Sequence, residues 1–402
     1  MKILFLTSRF PFPPYRGDKL KIYNLIRQVS KSHDVVLLSY IQDRQEEQLI
    51  PELKDFCRKV VVVRQSLMES VVHCAGGIFG RDPFQVSYFA SRRMHDALRQ
   101  MIEDERPDII HTHLIRMAPY TADTRSIPRV LDLTDAVSLY IDRFRQSQKN
   151  PLLRWLLSVE HRRMVAFDAV LTQFDRVLVC SDVDRRVLLQ HAPTARIDLL
   201  RNGVDLEIFS PNGASEPEPG RIILTGNMSY FPNADGARFF VKKILPLIKK
   251  RIPHARLFIV GQNPSAGIKS LAGDDVEVTG FVPDLKQQYV RSAVAISPIR
   301  FGAGTLNKVL EPLALGVPVV ATPLSVEGLG LRDGEEVLVA AGAEEFAAAV
   351  VSVLSDANLR ERLSSGATDR IRSRFGWDAV GKDLKSVYQS VAQGSQAYVA
   401  PN

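Results

Sequence analysis

Cysteine is scarce, with only Cys57, Cys74 and Cys180 in 402 residues. The number is odd and no CxxC pair occurs, so neither a disulfide framework nor a zinc site is expected, and a reducing, cytoplasmic setting follows. Long apolar runs are missing as well. None approaches the roughly 18 to 20 residues of a membrane-spanning helix. The opening MKILFLTSRFPFPP has an apolar stretch too short for a signal peptide and is stopped by an arginine and prolines. It reads as a first buried strand entering a loop. Charge of one sign is modest, a net +7, and it is confined to the first half. Residues 1–205 hold 31 basic against 25 acidic residues, the remainder 21 against 20. The arginines are scattered and no nucleic-acid motif accompanies them, so nucleic acid is not expected as a partner. An anionic membrane surface or a phosphorylated substrate fits the excess better. What is present, 45% hydrophobic and 24% charged residues, suits a globular chain too long for one ordinary core. Two domains are expected.

Short apolar runs alternate with amphipathic stretches from end to end. KILFLTS, DVVLLSY, KVVVV, DIIHTH, RVLDLTD and RVLVCS read as strands, with helical patterns such as GDKLKIYNLIRQVSKS and ASRRMHDALRQMIEDERP between them. Continuous apolar strands separated by helices predict a parallel sheet covered on both faces. The segment NGASEPEPG, residues 212–220, is the best linker. The pattern then restarts with RIILTGNM, ARLFIVG, VEVTGFV, VAISPI and PVVAT, with ADGARFFVKKILPLIKKRIP as a helix among them. The expected division is 1–205, 206–375 and a C-terminal helix, 376–402, packing back toward the first domain. Two doubly wound domains with a cleft between them follow, and ligands of such sheets bind beyond the carboxyl ends of the strands.

The segment RFGAGTLNKVLEPLALGVPVVAT, residues 300–322, runs from glycine-rich loop to helix to buried strand. Lys308 and Glu311 stand three apart and share a helical face. Gly302, Gly304 and Thr305 lie just upstream, where a helix presents unpaired N–H groups. That arrangement suits an anionic ligand carrying hydroxyls. In the first half, His111 and His113 fall on one side of a strand end. Two histidines two apart suggest a metal, yet no third ligand is apparent, and none is expected. Asp135 falls just past a strand, where catalytic groups of α/β folds collect, and it is also a good N-cap for the helix AVSLYIDRF.

Taken in order, LLRNGVDLEIFSP, GNMSYFPNADGARFF, LFIVGQNP, VTGFVPD and GTLNKVLEPLALGVPVVATPLSVEGL resemble glycosyltransferase family 4. LTSRFPFPPYRGDKLKIYNLIRQVSKSHDVVLLS and DLTDAVS are similar to the branch found with exopolysaccharide loci. The resemblance implies a retaining enzyme of GT-B architecture, two Rossmann-like domains facing across a cleft, needing no metal and no cofactor beyond its nucleotide-sugar donor. It implies that Glu311 binds the ribose hydroxyls, that the amides of Gly304, Thr305 and Leu306 hold the diphosphate, and that Lys308 neutralises it. Gly17 would bring backbone close to the donor phosphates, aided by a glycine's access to positive φ. Arg16 and Lys19 would meet an anionic substrate, and His111 and His113 would line the cleft. Asp135, with Asp132 and Thr134 beside it, stands where relatives have a histidine near the reacting centre.

The chain departs from the family in two places. The first glutamate of the glutamate, seven residues, glutamate signature is replaced by Ala303, and GNMSYFPNADG lacks the usual arginine and lysine pair. Arg300 and Lys308 are the nearest replacements for that charge. The leading reading is transfer of a hexose from a nucleotide-sugar to a glycan or lipid-linked glycan in cell-surface or exopolysaccharide synthesis. Such a protein would be cytoplasmic, with peripheral contact on the inner face of an anionic membrane. The alternatives are a nucleotide-sugar 2-epimerase of similar architecture and, prompted by Ala303, a degenerate binding subunit without catalysis.

Overall fold

A computed structural model describes residues 1–77, 80–211 and 216–396. Residues 212–215 of the expected linker and 397–402 of the expected C-terminal segment lie outside the described residues. The chain divides into two compact units: Met1–Asn202 joined by the chain from Val380 onward, and Gly203–Ala379 between them. These divisions fall three and four residues from the expected 205/206 and 375/376.

The first unit is a seven-stranded sheet of β1 (Lys2–Thr7), β2 (Asp34–Ile41), β3 (Lys59–Arg64), β4 (Ile109–His113), β5 (Arg129–Thr134), β6 (Arg176–Val179) and β7 (Ile197–Leu199). The order is β3-β2-β1-β4-β5-β6-β7, and neighbouring strands pair in parallel. β1 and β4 are central, and all five residues of β4 are buried. It opens on apolar Ile109 and Ile110 and then buries three polar residues, His111, Thr112 and His113. Helix Gly17–Ser30 turns Ile22, Leu25, Ile26 and Val29 inward, together with Lys21. Helix Arg92–Glu105 stops where Arg106 takes a left-handed φ of 47° ahead of Pro107, a residue that cannot continue a helix.

The second unit has six strands: β8 (Glu218–Thr225), β9 (Arg256–Val260), β10 (Val276–Gly280), β11 (Ser292–Ser297), β12 (Val319–Ala321) and β13 (Leu338–Val339). Their order is β10-β9-β8-β11-β12-β13, again parallel. In both sheets the strand order reverses beside the first strand, the switch point of a doubly wound fold. The helix read from Ala234 begins instead at Phe231, with Pro232 in its first turn, where a missing N–H breaks no helical bond. Among the described residues no helix is long and apolar enough to cross a membrane.

Candidate functional site

In the second unit the loop after β11 and the loop after β8 meet at the switch point. The first runs from Pro298 to Leu306 and turns twice through glycine, Gly302 at φ 153° and Gly304 at φ 77°. The left-handed turn at Gly304 admits few residues with a Cβ. Leu306 then takes the N-cap position, in extended conformation and with no side-chain cap, and helix Asn307–Ala314 follows. Its first amides therefore lack intrahelical acceptors and carry the positive end of the helix dipole. Ile299, Gly302, Ala303, Gly304, Leu306 and Leu324 line a small depression at this loop. Ala303, standing where the family has a carboxylate, contributes a methyl group there.

Glu311 and Lys308 rise from this helix into a half-buried region. The Tyr289 hydroxyl donates to Glu311 Oε2 at 3.0 Å and lies 2.6 Å from Thr225 Oγ1, at the end of β8. Lys308 Nζ donates to Asn233 Oδ1, and Asn233 Nδ2 donates to the Asn227 carbonyl at 2.9 Å. A Cβ on Gly226 would lie 2.6 Å from Asn233 Nδ2 and 3.3 Å from Lys308 Nζ, so this glycine is what lets the lysine approach the β8 loop. Burial pushes the Lys308 ammonium down to about 7, against the smaller opposing pull of Glu311. Burial likewise pushes the Glu311 carboxyl up to about 7, against Tyr289 and Lys308. Each charge is costly in the unliganded chain, and a diphosphate beside Lys308 would offset the cost on the cation. Arg300, the other candidate cation, is held by Asp235 through bonds of 2.9 and 2.7 Å and lies over the Phe239 ring at 4.7 Å.

In the first unit the loops after β1, β4 and β5 gather a different set. Arg9 Nη1 reaches Asp18 at 2.5 Å, and Arg16 Nε reaches it at 3.3 Å. Burial opposes the charge on Asp18, but Arg9, Arg16 and Arg116 outweigh it and hold the carboxyl below its usual range. Burial lowers Arg116 to about 10, and its guanidinium sits 5.0 Å from the Phe89 ring centre. Asp135 is half-buried. Burial, with Asp184 nearby, pushes its carboxyl up to about 7, while Arg116 and Lys21 pull the other way. The N-cap of helix Val137–Ser147 is Ala136, with no side-chain cap. Asp184 accepts the Ala136 amide at 2.9 Å. Capping therefore does not explain Asp135.

Several expectations need correcting. His111 and His113 are 0% and 2% exposed and line no open surface. His111 Nδ1 is 2.8 Å from the Tyr388 hydroxyl, and burial lowers the two rings to about 3 and 4, leaving both neutral. Asp132 is also wholly buried and pairs with buried Lys21 at 2.8 Å. It carries a structural ion pair in which losing either partner would strand a charge. Gly17 opens its helix without a left-handed φ, and a Cβ there would meet no protein atom within 4 Å, so the backbone conformation gives no reason for a glycine. Lys19 is bonded to Glu46 at 2.9 Å and Arg16 to Asp18, so both candidate anion contacts already have carboxylate partners. Thr134 closes β5 in a left-handed conformation, φ 66°. Sequence reading missed Lys21, Arg116, Asn233 and Tyr289. Of these only Lys21 gave a signal, as a lysine on the apolar face of its helix. Among the described residues no group of three or more His, Cys, Asp or Glu is placed to hold a metal.

Two parallel Rossmann-like sheets, each with its candidate groups on the loops beyond the strand ends, define a protein of the GT-B class. Residues 22–208 match the family model described as Glycosyltransferase Family 4, and residues 219–356 match the one described as Glycosyl transferases group 1. The chain therefore carries the two glycosyltransferase domains that these models describe. It is 28% identical to the phosphatidyl-myo-inositol mannosyltransferase of Mycobacterium leprae over 56% of this chain and 61% of that one. The match spans about three fifths of the length of the curated relatives. Its fold is shared with the sucrose-phosphate synthase of Thermosynechococcus elongatus at a TM-score of 0.74 and 16% identity, covering 98% and 100% of the two chains. HepE of Anabaena, solved in complex with UDP, follows at a TM-score of 0.70 and 14% identity, covering 97% and 100%.

Proposed function

We propose that the chain transfers a hexose, with retention, from a nucleotide-sugar donor to a hydroxyl of a glycan or lipid-linked glycan in cell-surface polysaccharide synthesis. The observation that carries this is the second unit's switch point. There an uncapped helix N-terminus, Lys308 and Glu311 come together beside the end of β8. A carboxylate accepts two hydrogen bonds from a vicinal diol, and a helix N-terminus with a cation accommodates a diphosphate. In the reaction the bond from sugar C1 to the phosphate oxygen breaks and the diphosphate leaves with the electron pair. The acceptor oxygen bonds to C1 and gives up its proton. Stabilising the negative charge on the leaving group is the largest help a protein can give such a step. The relatives named for transfer to inositol lipids support the lipid-linked option.

Purified protein with a panel of nucleotide-sugars and a lipid-linked glycan fraction tests the reading. Release of free nucleoside diphosphate together with a glycosylated acceptor is expected. An isomerised nucleotide-sugar would replace transfer by 2-epimerisation, and absence of any donor turnover would leave a binding subunit. Glu311→Ala should weaken nucleoside diphosphate binding by about 1.5 kcal/mol, the lower range for a hydrogen bond to a charged group. Calorimetry showing unchanged affinity in the folded variant would remove Glu311 from the nucleotide site.

The location we propose is cytoplasmic, in peripheral contact with an anionic membrane through the first unit. Its support is the basic excess before residue 205 and the side chains that this unit exposes. Leu67, Met68, Val71 and Val72 on helix Leu67–Gly76 are each at least 60% exposed, as are Leu152 and Trp155 on helix Pro151–Phe167. Sedimentation with vesicles rich in phosphatidylglycerol should show binding at low salt that is lost at about 1 M salt, where screening acts within about 3 Å. Absence of binding at low salt would overturn the contact.

A further inference from the structure

We propose that Tyr289 is a positioning residue for donor binding: its hydroxyl, backed by Thr225, fixes the Glu311 carboxylate with one oxygen occupied and the other presented to the donor's diol. The proposal rests on the reading of Glu311 as the nucleotide-binding carboxylate. Tyr289 is 0% exposed, on helix Leu285–Val290, and Thr225 at the end of β8 is 4% exposed. A phenol has one proton. Tyr289 gives it to Glu311 Oε2 at 3.0 Å, so the Thr225 hydroxyl at 2.6 Å supplies its own proton to the phenol oxygen. The relay therefore runs in one direction, from the end of a central strand through a fully buried ring to the helix that carries the glutamate.

An unanchored glutamate samples three side-chain torsions, and ordering it on binding costs side-chain entropy. A relay that orders it beforehand removes that cost from binding. Only one carboxylate oxygen accepts from Tyr289, which leaves Oε1 for a ligand hydroxyl. The ring itself is held independently of its hydroxyl. It lies in the core cluster with Val309, Leu310 and Leu313, and the Phe209 ring meets it edge-on at 6.3 Å. Removing the hydroxyl therefore tests the relay while keeping the packing.

The pH dependence separates positioning from packing. Among the described residues the titratable groups facing the Glu311 carboxyl are Tyr289 on the neighbouring helix and Lys308 on its own. Burial raises Glu311, and both partners lower it. Loss of the Tyr289 bond therefore raises it further. The group is an acid that must be charged to accept two hydrogen bonds, so binding is lost as pH falls through its pKa. In Tyr289→Phe that loss moves to higher pH.

The experiment measures binding by calorimetry from pH 6 to 9, using whichever of UDP, GDP and ADP stabilises the parent chain most. Tyr289→Phe should bind about tenfold more weakly at pH 7, with the deficit closing to within about twofold at pH 9. Glu311→Gln should bind weakly and show no loss of affinity on the acid side, keeping only the loss at higher pH that belongs to Lys308. If folded Tyr289→Phe matches the parent, or is weakened equally at every pH, the positioning role is overturned. If Glu311→Gln binds like the parent, it is the nucleotide reading of Glu311 that falls. Should Tyr289→Phe fail to fold, Thr225→Val removes the backing donor at similar volume. It should show a smaller loss with the same pH signature, and a pH-independent result from it would equally sink the proposal.

Discussion

Lys308→Ala should lower turnover by about 10² to 10³-fold, the effect of removing one preorganised group from a developing negative charge. The ammonium is the cation that the structure brings to the end of β8, tethered by Asn233 and allowed in by Gly226. Arg300 instead carries Asp235 on both of its bonding nitrogens, and its side chain is 49% exposed. A charge already shared with a carboxylate and open to water acts weakly on a leaving group. Lys308→Arg should recover only part of the rate, because a planar fork does not reproduce a point charge at the Asn233 anchor.

The pH profile gives a second reading of the same residue. Burial lowers Lys308 to about 7 in the unliganded chain, so its charge is lost as pH rises through that value. Glu311, raised to about 7, loses its charge as pH falls through the same region. The value of kcat/KM, which reports the free enzyme, should therefore be bell-shaped and centred near neutrality, its two limbs belonging to the pair. Lys308→Ala should abolish the alkaline limb and keep the acid one. Full turnover in Lys308→Ala would transfer the role to Arg300, checked with Arg300→Ala.

Much of the sheet architecture was legible because buried parallel strands are unbroken apolar runs. Six strands of the first unit and five of the second could be read that way. β7 and β13 could not, with three and two residues, too short to show any period. The glycine loop and helix at 300–314 were legible for a local reason, since every group sits within one turn or two of the next. The supporting contacts were not, because they join residues far apart in the chain. Tyr289 meets Glu311 across 22 positions, Asn233 meets Lys308 across 75, and Tyr388 meets His111 across 277. Burial was the other hidden variable. DIIHTH and RVLDLTD placed His111, His113 and Asp132 correctly near strand ends, but a periodic pattern does not reveal that Lys21 reaches Asp132 there. A lysine among Ile22, Leu25 and Ile26 was the available clue. Charged residues are almost never fully buried unless paired.

Asp135→Asn should slow transfer by about 10²-fold while making the folded chain more stable. The two effects have one cause. Burial, then Asp184, disfavour the Asp135 charge and push its carboxyl up to about 7. A group whose folded pKa lies above its unfolded value near 3.9 binds more protons when folded. Its stabilising share is therefore present below about pH 4 and is lost as pH rises to about 7. Asparagine never ionises, so Asp135→Asn should melt higher than the parent at pH 8, by a few degrees, and match it near pH 4. An N-cap would give no such pattern, and the cap position belongs to Ala136 in any case. A carboxylate held near neutrality is suited to taking the acceptor hydroxyl's proton as the bond to C1 forms, a role worth about 10² or more in rate. Asparagine keeps the shape and removes the basic oxygen, so nucleoside diphosphate binding should be unchanged while kcat falls. The acid limb of kcat, which reports the donor-bound enzyme, should be missing from the variant, whereas the acid limb of kcat/KM, which Glu311 carries, should remain. Undiminished turnover in Asp135→Asn, with or without the gain in melting temperature, would show that the proton leaves by another path.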